Sequence, residues 1–226
     1  MHNAAVTLPD WLHRGRFDVL MVDLDGTLVD TLGDFDAALN RMLAGLGLPG
    51  VDRAFIERTV GKGSEHLVRR TLAEVGAQES RYEAAWTLYQ DSYAAINGEC
   101  SSVYPGAREA LAAWQAAGFR LACLTNKPGE AARTLLQRKG LDVFFEVTFG
   151  GDAFARKKPD PLPLLSTCAH LGVDPSRALM VGDSENDVLA ARAAGCAVAV
   201  VPYGYNHGQP IASAGADWLM RQLDRP

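Results

Sequence analysis

Positive charge is in short supply here: 22 Lys and Arg stand against 27 Asp and Glu, a formal net charge of −5. Without a basic field to hold a polyanion, the chain is not expected to bind nucleic acid or an anionic membrane surface. Long apolar runs are missing too. No stretch approaches the roughly 18 residues that a membrane span needs, and residues 1–16 lack the apolar centre of a secretory leader. A cytoplasmic location is therefore the expectation. The four cysteines, at positions 100, 123, 168 and 196, show no C-x-x-C spacing, and Cys123 and Cys196 lie inside apolar runs. They read as reduced small hydrophobes. His66, His170 and His207 have no ligand spacing, which argues against the usual zinc sets. Internal repeats and low-complexity tracts are also absent, and nothing in the sequence bears on oligomeric state.

What the chain does have is a rhythm. Short apolar runs at 17–23, 119–126, 144–151, 178–183 and 196–202 read as strands, several of them ending in polar residues. Helical patterns lie between the later ones at 106–117, 129–139, 161–171 and 185–194, and each stops at a glycine: Gly118, Gly140, Gly172 and Gly195. Strand and helix alternating at this pitch imply right-handed crossovers and a doubly wound parallel sheet, an α/β core. Residues 31–103 break the alternation with helical patterns at about 31–46, 52–59, 64–75 and 79–95 and no convincing strand. We therefore expect a helical cap (31–103) inserted after the first strand of a core formed by 1–30 and 104–226, with Pro105 in the first turn of the next core helix. The tail "RQLDRP" is too short for a full final helix.

In such sheets, ligands bind outside the carboxyl ends of the strands. Polar residues gather there. "VDLDGTLVD" (22–30) puts Asp23 and Asp25 at the end of the first strand; Thr125 and Asn126 end the second, and Asp183 a later one, with Asp187 one helical turn on. Lys157 and Lys158 precede Pro159 at the entrance to a crossover helix. Converging carboxylates repel one another and raise their own proton affinity unless a cation neutralises them. The pattern therefore calls for a metal, and oxygen-only ligands point to Mg2+, which also takes substrate phosphate.

These residues resemble the motifs of the haloacid dehalogenase superfamily of aspartate-nucleophile phosphatases. "DLDGT" (23–27), "LTN" (124–126), "KKPDP" (157–161) and "GDSEND" (182–187) match its four motifs in order, and the resemblance runs over nearly the whole chain from Phe17. It implies that Asp23 attacks phosphorus and that Asp25 protonates the leaving alkoxide and then activates water. It implies that Asp23, Asp183 and the main-chain carbonyl of Asp25 hold Mg2+, with Asp187 in support. Thr125, with Asn126 beside it, would bind the phosphoryl group, and Lys158 would offset its charge. Family members that dehalogenate lack an acid at the position of Asp25, so its presence favours a small phosphate ester as substrate. "GDSEND", "VGKGSEHLVRRTL" (60–72) and "YGYNHG" (203–208) resemble the phosphoglycolate phosphatases within that family. Phosphatases of sugar or amino-sugar phosphates, and sugar phosphomutases, keep Asp25 as well and stay open. A phospho-acceptor receiver-like module shares the acidic pocket, the Thr and the Lys, but it leaves Asp25 and the insert unexplained.

Other residues have plainer readings. Asp34 and Asp36 are expected to face solvent, and Asp30 to be an ordinary N-cap. "GKGS" (61–64) is no Walker loop, since Ile56 stands where its first glycine would be and Gly63 follows the lysine. Lys62 in that turn is expected to reach over the core pocket and read a substrate carboxylate. Lys157 reads as a solvated neighbour of Lys158, and Trp86, Tyr89 and Tyr93, at three- and four-residue spacing, as the packed face of a cap helix.

Overall fold

In a computed structural model, described over residues 6–225, apolar alternation decides the architecture. Residues 1–5 and 226, which the sequence reading assigns to the core, lie outside the described residues. The chain enters through β1 (Val19–Val22) and a two-residue strand, β2 (Val29–Asp30). Four helices follow: α1 (Leu32–Gly45), α2 (Arg53–Thr59), α3 (Ser64–Glu74) and α4 (Tyr82–Ile96). After β3 (Ser102–Val103) come α5 (Ala107–Ala116), β4 (Arg120–Leu124), α6 (Gly129–Arg138) and β5 (Val147–Phe149). The chain ends with α7 (Leu162–Leu171), β6 (Ala178–Gly182), α8 (Glu185–Ala194), β7 (Ala197–Val200) and β8 (Trp218–Leu219).

Six strands form one parallel sheet in the order β5-β4-β1-β6-β7-β8. Every residue of β1 is buried because both faces are covered. Leu20 and Val22 join Leu121, Cys123, Leu179 and Val181 on one face, against Leu111, Trp114 and Leu135 of α5 and α6. Val19 and Met21 join Ala122, Leu124 and Met180 on the other, against Leu164, Cys168, Val188 and Ala191 of α7 and α8. This is the period-two pattern of a sheet packed on both sides. Strand order reverses about β1, between β4 and β6, so the carboxyl ends of these three strands border one crevice. The glycines expected to stop the core helices, Gly118, Gly140, Gly172 and Gly195, all have positive φ. Cys123, Cys168 and Cys196 are buried free thiols and Cys100 is exposed.

The helices from 32 to 96 pack a second apolar cluster, in which Phe35, Leu39, Met42, Ile56, Leu67, Val68, Tyr89 and Ile96 are buried. Tyr205 of the later loop joins it, and its hydroxyl accepts the Thr31 N–H (2.8 Å) and donates to Asp30. The rings of Trp86, Tyr89 and Tyr93 stack in succession along α4, the packed face their spacing predicts.

The structure corrects several expectations. A strand does lie within 31–103: β3 pairs antiparallel with β2, two residues against two, too short to show a periodicity. Asp34 does not face solvent. It is fully buried, and its two oxygens accept the N–H groups of Gly98 and Cys100 at 2.7 Å each, so it ties the start of α1 to the chain leaving α4. Thr31 rather than Asp30 is the N-cap of α1; Asp30 stands one residue before it and accepts the Leu32 N–H at 3.2 Å. Pro105 precedes α5 in a turn, and Gly106, at φ 82°, is the N-cap. The helix expected at 79–95 opens as a single 3-10 turn over 79–81. Among the described residues, no helix is long and apolar enough to cross a membrane.

Candidate active site

Asp23 follows β1 directly, its N–H still bonded to Val181 of β6 at 2.9 Å, so sheet hydrogen bonding fixes where its carboxylate begins. Its Oδ1 accepts the Leu24 N–H at 2.7 Å. Asp183 leaves β6, takes the Thr27 hydroxyl on Oδ1 (2.7 Å) and the Tyr205 N–H on Oδ2 (2.6 Å), and is 2% exposed. Gly26 and Gly204 press against it so closely that a Cβ on either would collide with the carboxylate. Asp187, in the first turn of α8, completes the group: one oxygen from each of Asp23, Asp183 and Asp187 lies within 4.8 Å of the others.

The three carboxylates differ in what they have left to offer. Asp187 spends Oδ1 on Lys158 Nζ (2.6 Å) and Oδ2 on the Ser184 N–H and hydroxyl (3.1 and 2.8 Å). Asp23 and Asp183 keep free lone pairs. Burial pushes the Asp23 carboxyl up to about 6; Lys158 opposes the rise, while Asp187 and Asp25 add to it. Asp183 is raised well above the ordinary range by burial first, then by Asp23 and Asp187. This is a deficit of positive charge. An all-oxygen donor set with such a deficit fits a hard divalent cation.

Lys158 is the cation already present. It is 3% exposed, with Nζ 3.1 Å from Asp23, 2.6 Å from Asp187 and 2.8 Å from the Leu124 carbonyl. Burial alone would discharge it, but Asp187 and Asp23 more than offset that and its proton affinity rises. Thr125 stands beside the nucleophile position, where its hydroxyl accepts the Lys127 N–H at 3.2 Å. Lys157 is half-buried and lies against Gly63, closer to the insert than a merely solvated residue would be.

Two expected roles do not match the geometry. Asn126 does not turn its amide to the pocket centre. Nδ2 donates to the carbonyls of Gly61 (3.0 Å) and Lys158 (2.8 Å), and Oδ1 accepts the Lys158 N–H (3.0 Å). The side chain is a brace between the insert and the lysine loop. Lys62 is exposed and faces away, into a groove shared with Arg58, His66, Arg70, Glu74 and His207. The small pocket over Asp23, Asp25 and Thr125 is lined by Gly61, Gly63, Ser64 and Leu67, and by Asn126 and Lys127 as well, but not by Lys62.

Sequence reading missed one charged residue of the pocket. Lys127 is 5% exposed, and its Nζ meets Asp25 at 3.0 and 3.2 Å and the hydroxyl of Tyr93. The only sequence signal is that a lysine follows the strand-end pair Thr125-Asn126 directly.

The family described as haloacid dehalogenase-like hydrolase matches residues 17–195. A plasmid-encoded phosphoglycolate phosphatase of Cupriavidus necator is 44% identical over 207 residues, covering 91% of this chain and 89% of its own. A phosphoglycolate phosphatase of Nitrosospira multiformis is 42% identical, covering 90% of this chain and 91% of its own. Among solved structures, a predicted phosphoglycolate phosphatase from Haemophilus somnus superposes with a TM-score of 0.89 at 33% identity, over 92% of this chain and 95% of that one.

Proposed function

Because this chain belongs to the haloacid dehalogenase-like hydrolases and is similar to phosphatases among them, we propose that it removes phosphate from 2-phosphoglycolate with Asp23 as nucleophile and Asp25 as acid and base. The observation that carries the reading is the grouping of Asp23, Asp183 and Asp187 oxygens within 4.8 Å, with Lys158 between two of them and Asp25 alongside. The names of the relatives support 2-phosphoglycolate as the ester.

In this reading an Asp23 oxygen attacks phosphorus in line as the bond from phosphorus to the ester oxygen breaks, and Asp25 gives its proton to the departing glycolate alkoxide. Asp25, now ionised, takes a proton from the water that attacks the aspartyl-phosphate, releasing inorganic phosphate and restoring Asp23. The Thr125 hydroxyl donates to the phosphoryl oxygens. Lys158 neutralises charge on Asp23 and on the transferring group. Asp23, Asp183 and the main-chain carbonyl of Asp25 would hold Mg2+, which supplies charge neutralisation at the phosphoryl oxygens. Asp187, already filled, holds Lys158 and the start of α8. We read 31–103 as a cap over a core of 1–30 and 104–226, because the inserted helices share an apolar cluster of their own.

The test is kcat/KM across a panel of small phosphomonoesters with Mg2+, together with Asp23→Asn. The reading expects 2-phosphoglycolate to lead the panel, and Asp23→Asn to fall below about 1% of wild type without trapping an acyl-phosphate. Turnover that requires a bisphosphate activator would make the enzyme a mutase instead.

A further inference from the structure

The chain carries a formal net charge of −5, yet one groove outside the catalytic pocket gathers positive charge. It has a volume of about 430 Å³ and is lined by Arg58 of α2, by Lys62, by His66, Arg70 and Glu74 of α3, and by His207. Gly61 and Gly63 wall the catalytic pocket, while Lys62 between them lines the groove. Arg58, Lys62 and Arg70 have no ion-pair partner among the described residues, although Glu74 stands four residues after Arg70. Three permanent cations thus face one carboxylate, and nothing in the fold neutralises them.

His207 is a second, independent sign of a built site. Among the described residues it alone, glycines aside, has a left-handed backbone, at φ 52°, a conformation that a β-carbon disfavours. The loop is pinned there: Nδ1 of His207 lies 3.2 Å from the Arg58 carbonyl, and Gly208 sits so close to the Arg58 side chain that a Cβ would crowd it. The strained backbone sets an imidazole into the wall of a groove that already holds three unpaired cations. Burial lowers the proton affinity of His66, with Lys62, Arg70 and His207 adding to the effect. Burial lowers that of His207 as well; the Arg58 carbonyl and Glu185 oppose the fall, and Lys62 adds to it. A bound anion reverses that balance, because negative charge favours the imidazolium.

We infer that this groove is a second ligand site, which takes a small molecule bearing two phosphoryl groups. Guanidinium groups offer paired N–H donors that match phosphoryl oxygens. Lys62 precedes α3, and His66 and Arg70 follow at four-residue steps, so the last two stand about 6 Å apart along the axis, while Arg58 and His207 widen the set. One phosphoryl group is too small to touch all five, and two are not. Glu74, at the end of the row, is an acceptor for a hydroxyl on the ligand's body. Sugar bisphosphates and nucleoside diphosphates both supply that combination. The inference does not depend on which ester is hydrolysed at Asp23.

The experiment follows the histidine ring protons by NMR in the metal-free full chain at constant ionic strength, with His66 and His207 assigned through His66→Gln and His207→Gln. Without metal, the unrelieved charge of Asp23, Asp183 and Asp187 keeps phosphate from the catalytic pocket. Inorganic phosphate, pyrophosphate, ADP and fructose 1,6-bisphosphate are titrated separately into wild type, Lys62→Gln, Arg70→Gln and the double variant. The His66 and His207 signals should move saturably while that of His170 stays fixed. The ligands with two phosphoryl groups should saturate at about tenfold lower concentration than inorganic phosphate, and more tightly at about pH 6.5 than at about pH 7.5. The tighter of ADP and fructose 1,6-bisphosphate identifies the source. Each single variant should weaken binding about fivefold or more and the double variant should abolish it, with kcat/KM in the absence of these ligands within about twofold of wild type. Shifts that do not saturate by about 10 mM, or that persist unchanged in the double variant, would overturn the site. Equal affinity for inorganic phosphate and the larger ligands would overturn the assignment of two phosphoryl groups.

Discussion

Lys127 Nζ contacts both carboxylate oxygens of Asp25, at 3.0 and 3.2 Å, and the two side chains are 2% and 13% exposed. The insert closes over the pair: Tyr93 of α4 places its hydroxyl on the ammonium, and the ring of Phe35 of α1 lies 4.9 Å from it. The proposed acid and base is thus held by a core lysine that aromatic side chains of the insert hold in turn.

Lys127→Met keeps the length of the stem and removes the charge, so Asp25 loses its fixed partner. We predict a fall in kcat of about 10- to 100-fold, since a displaced catalytic group costs about that much, and a smaller loss in Tyr93→Phe. Steady-state kinetics at saturating ester checks this; an unchanged kcat in Lys127→Met would mean that Asp25 works without the pair.

The two adjacent lysines should separate cleanly. Lys158→Ala leaves the carboxylates of Asp23 and Asp187 buried without their cation, a loss of about 3–5 kcal/mol in stability, and kcat should fall by about 100-fold or more. Lys157 has no carboxylate partner within ion-pair distance among the described residues. Lys157→Ala is expected to cost less than about 1 kcal/mol. Thermal unfolding and kinetics on both variants decide it, and equal losses would move the charge-neutralising role to Lys157.

Metal and pH should be linked. The folded Asp23 carboxyl, pushed up to about 6, lies above its unfolded value of about 3.9. Folding then takes up protons between those values, so the metal-free protein carries the full penalty above about pH 6 and sheds it as pH falls toward about 4. We predict a higher Tm for chelated protein at about pH 5.5 than at about pH 7.5, and a larger gain from Mg2+ at the higher pH. Chelation should also stop turnover, with Mg2+ restoring it and Ca2+ substituting poorly because its coordination is looser. A chelated Tm that only drops on acidification would contradict the assignment.

Asp34→Ala should destabilise without touching the chemistry. It strands the N–H groups of Gly98 and Cys100, each now bonded to a buried carboxylate oxygen at 2.7 Å. The expected loss is about 2–4 kcal/mol, read as a fall in Tm, with kcat at low temperature close to wild type.

What could be read directly from the sequence was whatever the backbone alone decides. Asp23, Thr125 and Asp183 are legible because an apolar strand ends and a polar residue follows, and a parallel sheet delivers such ends to one crevice. Asp187 follows from the same topology plus one helical turn, and Lys158 from the resemblance of "KKPDP" to a family motif. Lys127 was not legible because its partner Asp25 is 102 residues away and the short turn after β4 that carries it has no periodicity. Tyr93 belongs to an aromatic stripe that packs as core, and nothing in that spacing marks the one hydroxyl that reaches a lysine. Lys62 was misread because the glycines on either side, at φ 111° and 91°, turn the loop in a way no propensity specifies. Asp34 looked like a surface helix residue because the N–H groups it binds lie near the far end of the insert, 64 and 66 residues on.

The short ribbon of Val29–Asp30 against Ser102–Val103 has an evolutionary consequence. Paired strands lie only about 4.8 Å apart, so the core sees the intervening chain as a single docking port with entry and exit side by side. A different set of helices, or a mere hairpin turn, could occupy that port without moving Asp23, Thr125, Lys158 or Asp183. The sheet can therefore keep one phosphoryl chemistry while the cassette plugged into it is exchanged, and selectivity can drift from one leaving group to another at little cost to the reaction itself.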